Sequence, residues 1–299
     1  MKKLALVSAL TFMFTLSVFP QTCRQLAKEV KPTLSPETKK AYDLKLAEAF
    51  EQFTKQGGNA DSTIWLGRRT AYLGNYKDAI RIFSEGLSRY PTDARFFRHR
   101  GHRYITIRCF DEAIKDLDRA ANLVKGKPDQ IEPDGLPNAQ NIPTSTLQTN
   151  IYYHLGLAHY FKGEFEAADI AFKKVFDLAK NDDMKVGAAN WIFMCEMRLG
   201  KTNDAKQFIA GIKDGLDVID NADYYRMIKL YQGKITPDDL LKEATSNSAV
   251  AYCLGNWYLY NGHRDEALKL FKQIIAGDQW ASFGYIAAEA ESGRQKPAR

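Results

Sequence analysis

The sequence predicts an all-α chain, a solenoid of about six helix-turn-helix repeats with capping helices. Three observations carry that expectation. Segments within residues 63–121 match one another at an offset of 34 residues: Gly67 falls on Gly101, Tyr76 on Phe110, Ala79 on Ala113, Ile80 on Ile114 and Phe83 on Leu117. A repeat period of this length is the mark of a helical array. Apolar residues recur at three- and four-residue spacing, the period of a helix with one buried face. Of the 299 residues, 45% are hydrophobic and 26% charged, a composition that excludes disordered and collagen-like chains.

The elements follow in order. Met1, Lys2 and Lys3 precede an apolar run from Leu4 to Phe19, the layout of a secretory signal peptide. The run is shorter than the ~20 residues of a membrane-spanning helix. Residues 1–22 are therefore expected as an export signal, which places the protein in the periplasm or cell envelope. Pro20, Gln21 and Thr22 do not form the usual approach to an acylated cysteine, so an outer-membrane anchor on Cys23 is the lesser alternative. Residues 23–35 read as a tether. Ser35 then suits an N-cap, with Pro36 at the first helical position and Glu37 in the first turn. Tyr42, Leu46, Ala49, Phe50 and Phe53 line one face, and Gly57-Gly58 supplies the stop. Residues 36–124 thus hold a capping helix and repeats 1 and 2.

Residues 125–146 contain four of the ten prolines and read as an insertion loop, either a functional loop or a flexible divider. Residues 147–293 hold repeats 3 to 6 and a closing helix, from about Asp278 to Ser292, with Trp280, Phe283, Tyr285 and Ile286 turned inward. Residues 294–299 form a tail. Two later repeats are clear: Leu155-Gly156, Gly163, Phe165, Ala168, Phe172 and Val175, then Leu254-Gly255, Tyr258, Gly262, Ala267, Phe271 and Ile274. Weaker copies centre on Trp191, Ile192, Gly200, Ala205 and Ile209, and on Tyr225, Lys229 and Gly233.

The first segment carries Leu66-Gly67, Gly74, Tyr76, Ala79, Phe83 and Pro91 at the spacings of a tetratricopeptide repeat, and the chain resembles that family. The resemblance implies a right-handed superhelix whose first helices line a concave groove. Small residues belong where two helices cross closely: Gly67, Ala79, Gly101, Ala113, Gly156, Ala168, Ala205, Gly255 and Ala267. Groove positions in the family fall two, five, nine and twelve residues into each repeat. They correspond here to Asp61, Ile64, Arg68 and Ala71; to Arg95, Arg98, His102 and Ile105; to Asn150, Tyr153, Leu157 and Tyr160; and to Ala249, Tyr252, Asn256 and Leu259. Residues 231–289 are also similar to the carboxyl-terminal part of the outer-membrane lipoprotein adaptor family NlpI, through Tyr231-Gln232-Gly233-Lys234-Ile235 and the run from Cys253 to Leu259. That resemblance implies an envelope adaptor, with a protease or peptidoglycan hydrolase as partner.

The net charge is +6, and residues 60–110 hold ten Lys or Arg against four Asp or Glu. Arg95, Arg98, Arg100, Arg103 and Arg108 stand in 14 residues with no acid among them. Arginine forks suit carboxylates and phosphates. These residues form either an anion-binding patch or a set of ion pairs with acids of the next helix, such as Asp116. His99 with His102, and His154 with His159, lack the third ligand of a metal site. Cys23, Cys109, Cys195 and Cys253 have no CxxC spacing, which argues against a disulfide framework, and the last three read as packed thiols. No cofactor, metal, catalytic residue or nucleic-acid motif is expected. The function read from the sequence is a non-catalytic scaffold or adaptor for a protein or peptide, acidic segments included. Its groove contacts are Arg68, Arg95, Arg98, His102, Tyr153, Tyr160, Tyr252, Asn256 and Tyr260. The alternative is a module that binds an anionic glycan or envelope polymer through the same basic groove.

Overall fold

The structure, a computed structural model, describes residues 22–294. The expected signal at 1–22 falls almost wholly outside the described residues, as does the tail beyond 294. Fifteen helices occur among the described residues. A four-residue helix, α1 (Cys23–Leu26), precedes α2 (Pro36–Lys55), where Ser35 caps by accepting a hydrogen bond from the Thr38 amide at 3.1 Å. Six consecutive helix pairs follow, all but the short fifth one closely packed on each other: α3 (Ala60–Tyr72) with α4 (Tyr76–Arg89), α5 (Ala94–Thr106) with α6 (Phe110–Val124), α7 (Leu147–Lys162) with α8 (Phe165–Leu178), α9 (Asp182–Arg198) with α10 (Thr202–Ala210), α11 (Ala222–Tyr231) with α12 (Asp238–Ala244), and α13 (Ser248–Tyr260) with α14 (Arg264–Ala276). A last helix, α15 (Phe283–Arg294), closes the array. The fold is all-α, and α3, α5, α7, α9, α11 and α13 each touch the next, forming its inner layer.

The crossing within four of the six pairs depends on missing side-chain volume. A Cβ on Gly67 would lie 2.4 Å from the Phe83 ring, one on Gly156 2.8 Å from Phe172, and one on Gly255 2.6 Å from Phe271. On Gly101 it would meet Leu117 at 2.8 Å. Ala79, Ala113, Ala168, Ala205 and Ala267 are fully buried at the matching positions of the second helices. The turn between the two helices of a pair needs a left-handed residue, and Gly74, Gly163, Gly200, Gly233 and Gly262 supply it. In the second pair the same place is held by Arg108, at φ 64°, a conformation that costs a non-glycine residue roughly 1–2 kcal/mol.

That strained turn is a junction. Its guanidinium bonds the Glu289 carboxylate at 2.7 Å and the Trp280 carbonyl at 2.8 Å, and lies 3.9 Å from the Trp280 ring centre. The next residue, Cys109, is disulfide-bonded to Cys23. The spacing argument against a disulfide, and the reading of Cys109 as a packed thiol, are thus corrected: the partners are 86 residues apart and meet only because the chain returns to this turn. Cys195 and Cys253 are free and buried. Residues 23–35 are no loose tether either. Ala27 and Val30 pack on the core, Glu29 accepts a hydrogen bond from the Lys77 amide, and Lys31 and Pro32 lie against Gly74. A thiol held in this disulfide cannot also carry a lipid.

Two segments between helices are held down by acids. Asp183, in the first turn of α9, is 1% exposed and accepts from the backbone amides of Ile219, Asp220 and Asn221 at 2.7–2.9 Å. The insertion, residues 125–146, docks through Glu132 and Gly135 on α3 and α5, and through Asn138 and Thr144 on Asp220.

Three outcomes are expected. Gly255→Val is expected to lower stability by about 2–3 kcal/mol by thermal or urea unfolding, whereas Gly293→Ala, an exposed helical position with nothing within 4 Å of the added carbon, is expected to be neutral or slightly stabilising. Reducing the Cys23–Cys109 bond, which closes a long loop, is expected to cost up to about 4 kcal/mol in the same assay.

Candidate functional site on the inner face

The inner face divides into a closed half and an open half. In the closed half, Tyr160 and Tyr252 are fully buried, with their hydroxyls 3.1 Å apart across α7 and α13. Asn256 is also fully buried, and the Tyr260 hydroxyl lies 3.2 Å from its Oδ1 and 3.3 Å from the Met194 carbonyl. Trp191 Nε1 donates to the Tyr153 hydroxyl at 2.8 Å. The helix α15 crosses this half from α13 to α7, and Phe283 sits among His102, Tyr153, His154 and Phe161. Tyr160, Tyr252 and Asn256 are therefore interior groups and not open contacts for a partner, which corrects the sequence expectation for those three, while Tyr153 and Tyr260 stay part-exposed with their hydroxyls hydrogen-bonded within the fold. The repeat register placed them on the inner face, but the array bends until α7 meets α13, and α15 fills what is left.

The open half lies on α3 and α5. A cleft of about 290 Å³ runs between Ile64, Trp65 and Arg68 on α3, Arg95 and His99 on α5, and Gln130 to Pro133 of the insertion. A larger cavity of about 680 Å³ lies between α2 and the α3–α4 pair, walled by Phe50, Phe53, Leu66 and Ile82. Charged groups at its edge pair with each other, as Arg81 does with Glu85 at 2.8 Å, so no converging chemistry marks it as a site.

Four of the five clustered arginines have acidic partners. Arg95 bonds Asp93 at 2.6 Å and Asp61 at 2.5 Å, and those carboxylates raise its pKa. Arg100 holds Asp116 with two bonds of 2.7 Å, the pairing expected of a neighbouring helix. Arg108 takes Glu289. Arg98 is 7% exposed and bonds Glu132 of the insertion at 2.9 Å, while its Nη1 lies 3.0 Å from His99 Nδ1. Arg103 has no ion pair among the described residues, and burial pushes it down to about 10. Arg68, from the preceding repeat, also has no ion pair among the described residues and lies 4.4 Å from the Trp65 ring centre. The insertion's part in the site had no signal in the repeat pattern beyond the acids Glu132 and Asp134 among its prolines.

His99, His102 and His154 form a cluster, with the rings of His102 and His154 4.2 Å apart. Burial first, and then Arg98 and Arg103, hold all three well below the ordinary imidazole range. The unfolded chain takes up protons near pH 6.5 that the folded chain refuses, so stability is full above that pH and is lost as pH falls. Urea unfolding between pH 7 and 5.5 is expected to show this loss, at up to about 1.4 kcal/mol per pH unit for each histidine. His102→Gln is expected to reduce the slope by about one proton, and an unchanged slope would rule the cluster out as its source.

The family description "Tetratricopeptide repeat" matches residues 149–182, which cover α7 and α8 and begin in the register that puts Asn150, Tyr153, Leu157 and Tyr160 on the inner face. No match was found among curated protein sequences. Three solved structures are similar. YrrB, a tetratricopeptide-repeat protein with an unusual peptide-binding site, is 15% identical over 82% of this chain and 97% of its own, with a TM-score of 0.44. A tetratricopeptide repeat protein from Parabacteroides merdae is 12% identical over 83% of this chain and 99% of its own, at 0.48. TTC0263 from Thermus thermophilus is 16% identical over 78% of this chain and 99% of its own, at 0.40. The family model thus covers one repeat, residues 149–182, and the glycine crossings at Gly67, Gly101 and Gly255 restate its pattern in three other pairs.

Proposed function

We propose that the protein is an exported, non-catalytic scaffold that binds a protein or peptide partner in the cleft formed by its first two repeats. The observation that carries this reading is Arg68: it lies on Trp65, faces the cleft beside Ile64, and has no acidic partner among the described residues. An extended segment with a carboxylate for Arg68 and an apolar side chain for Trp65 and Ile64 fits that wall. The cleft is framed by two helices and a docked loop, so the protein side loses little freedom on binding. A location in the cell envelope is supported by the apolar run at residues 4–19 and by the Cys23–Cys109 disulfide, a bond that persists in oxidising compartments. An adaptor role between envelope enzymes fits the resemblance at residues 231–289.

The test is retention of partners from envelope extract on the parent protein and on Arg68→Glu, with a photo-crosslinker at Ile64 to mark the contact. Arg68→Glu is expected to weaken binding at least tenfold, as truncation or reversal of a site charge does. Equal retention by both proteins, or no crosslink at Ile64, would remove the cleft from consideration. Loss of binding that follows ionic strength over several charges would transfer the site to an anionic glycan.

A further inference from the structure

Behind the cleft lies a smaller, more enclosed space, and we propose that it binds a phosphate-type oxyanion. The cavity, about 90 Å³, is walled by Arg68 and Tyr72 of α3 and by Arg98, His99, His102 and Arg103 of α5, with Phe83 beside them. That volume admits one tetrahedral ion with little room to spare and excludes a peptide. The inference concerns a site distinct from the partner cleft, although the two share Arg68 and His99 as walls.

The charges of the cavity do not balance among the groups around it. Three guanidiniums line it, and one carboxylate bonds any of them: Glu132, on Arg98 Nη2. Asp134 acts on Arg68 and Arg98 from the insertion without an ion pair to either. Arg98 Nε is buried without a hydrogen-bond partner, on a side chain more than nine-tenths buried. Arg103 has no ion pair among the described residues and only the faces of aromatic rings nearby, with Tyr76 at 5.8 Å. The neighbouring His154 Nε2 is likewise buried and unpartnered. A buried cation, Arg98, held beside two part-exposed ones with a single carboxylate bonded among the three is costly. A tetrahedral oxyanion reverses that cost, since it accepts from several guanidinium forks at once.

The sequence builds this arrangement from helical spacing. Arg98 and His102, and His99 and Arg103, are i, i+4 pairs that form two adjacent rows on α5, while Arg68 and Tyr72 make the facing i, i+4 pair on α3. The insertion supplies the lid: Arg69 donates to the Gly135 carbonyl at 2.7 Å, and a Cβ on Gly135 would fall 1.6 Å from Tyr72 Oη and 2.9 Å from Arg68 Nη2. Only a residue without a side chain lies this close to the two walls.

The experiment titrates the purified, disulfide-bonded protein with inorganic phosphate at constant ionic strength, by calorimetry and by thermal melting. Saturable one-to-one binding is expected, with a melting temperature that rises with phosphate as ligand linkage requires. Arg103→Gln is expected to weaken phosphate binding at least tenfold and to melt no lower than the parent when phosphate is absent, because it removes an uncompensated cation. Arg98→Gln serves as a second variant, read by calorimetry at a temperature where it is folded. Phosphate that acts no differently from chloride at equal ionic strength overturns the proposal. So does phosphate affinity that is unchanged in both variants, or an Arg103→Gln protein destabilised equally with and without phosphate, which is the mark of a structural role. Glycerol phosphate separates the sources: affinity within tenfold of inorganic phosphate points to an oxyanion carried on a larger molecule that leaves through the cleft, and affinity a hundredfold weaker points to the free ion. Partner retention by Arg103→Gln in phosphate-free buffer keeps this result separate from the fate of the cleft.

Discussion

The contact on which the molecule depends is the meeting of a glycine in the first helix of a pair with an aromatic ring or leucine in the second. Gly67 with Phe83, Gly156 with Phe172 and Gly255 with Phe271 all bring backbone against ring with no room for a methyl group. This distance fixes how closely those pairs cross, and the stacking of six pairs converts a small rotation per repeat into the curvature of the inner layer. Everything described on the inner face is a consequence of that curvature. It brings Tyr160 to Tyr252 across 92 residues of sequence, and it leaves a space between α7 and α13 that α15 enters. A looser crossing would leave a wide groove; this one leaves a cleft at one end and a packed interior at the other.

The parts of the structure that could be read from the sequence are those set by local spacing. The 34-residue offset, the small residues at Gly67 through Ala267, the Ser35 cap and the inward turn of Trp280 and Tyr285 all depend on neighbours a few residues away, so pattern alone finds them. Cys23 and Cys109 could not be paired in this way, because connectivity depends on where a distant segment returns. Tyr160, Tyr252 and Asn256 were assigned to the correct face and the wrong environment for a related reason. Register says which way a side chain points, while the sum of six rotations decides what it meets. The arginine cluster divides similarly: Arg100 finds its acid on the adjacent helix, but Arg98 finds Glu132 on a loop with no repeat pattern at all. One signal was present and unused. Five pairs place glycine at the left-handed turn, and the sixth places Arg108 there at a cost in backbone energy, which marks a residue retained for its side chain.

The insertion changes the chemistry of the open half as well as its shape. Without Glu132, Arg98 would be a buried cation with only a neutral imidazole beside it, and burial already lowers its pKa. With it, the basic face of α5 is half neutralised, and the unpaired charge is confined to Arg68 and Arg103 at the inner wall. The loop thereby selects which arginines are offered to solvent. Unpaired charge at this end of the array is focused on a few groups and does not extend along a stripe of like charge, a distribution suited to one or two well-placed anionic groups and not to a long polyanion.

The turn at Arg108 and Cys109 also has a mechanical meaning. The disulfide ties the strap that carries Cys23 to this turn, and the adjacent guanidinium ties α15 to it, so the first and last described helices are fastened to one point. An open solenoid pulled at its two ends extends like a spring, one pair after another. Here a load applied through those two segments passes across the junction, from a covalent bond to an ion pair one residue away, and largely bypasses the helices between. The array therefore bears tension as a clasped ring does, rigid until the clasp gives.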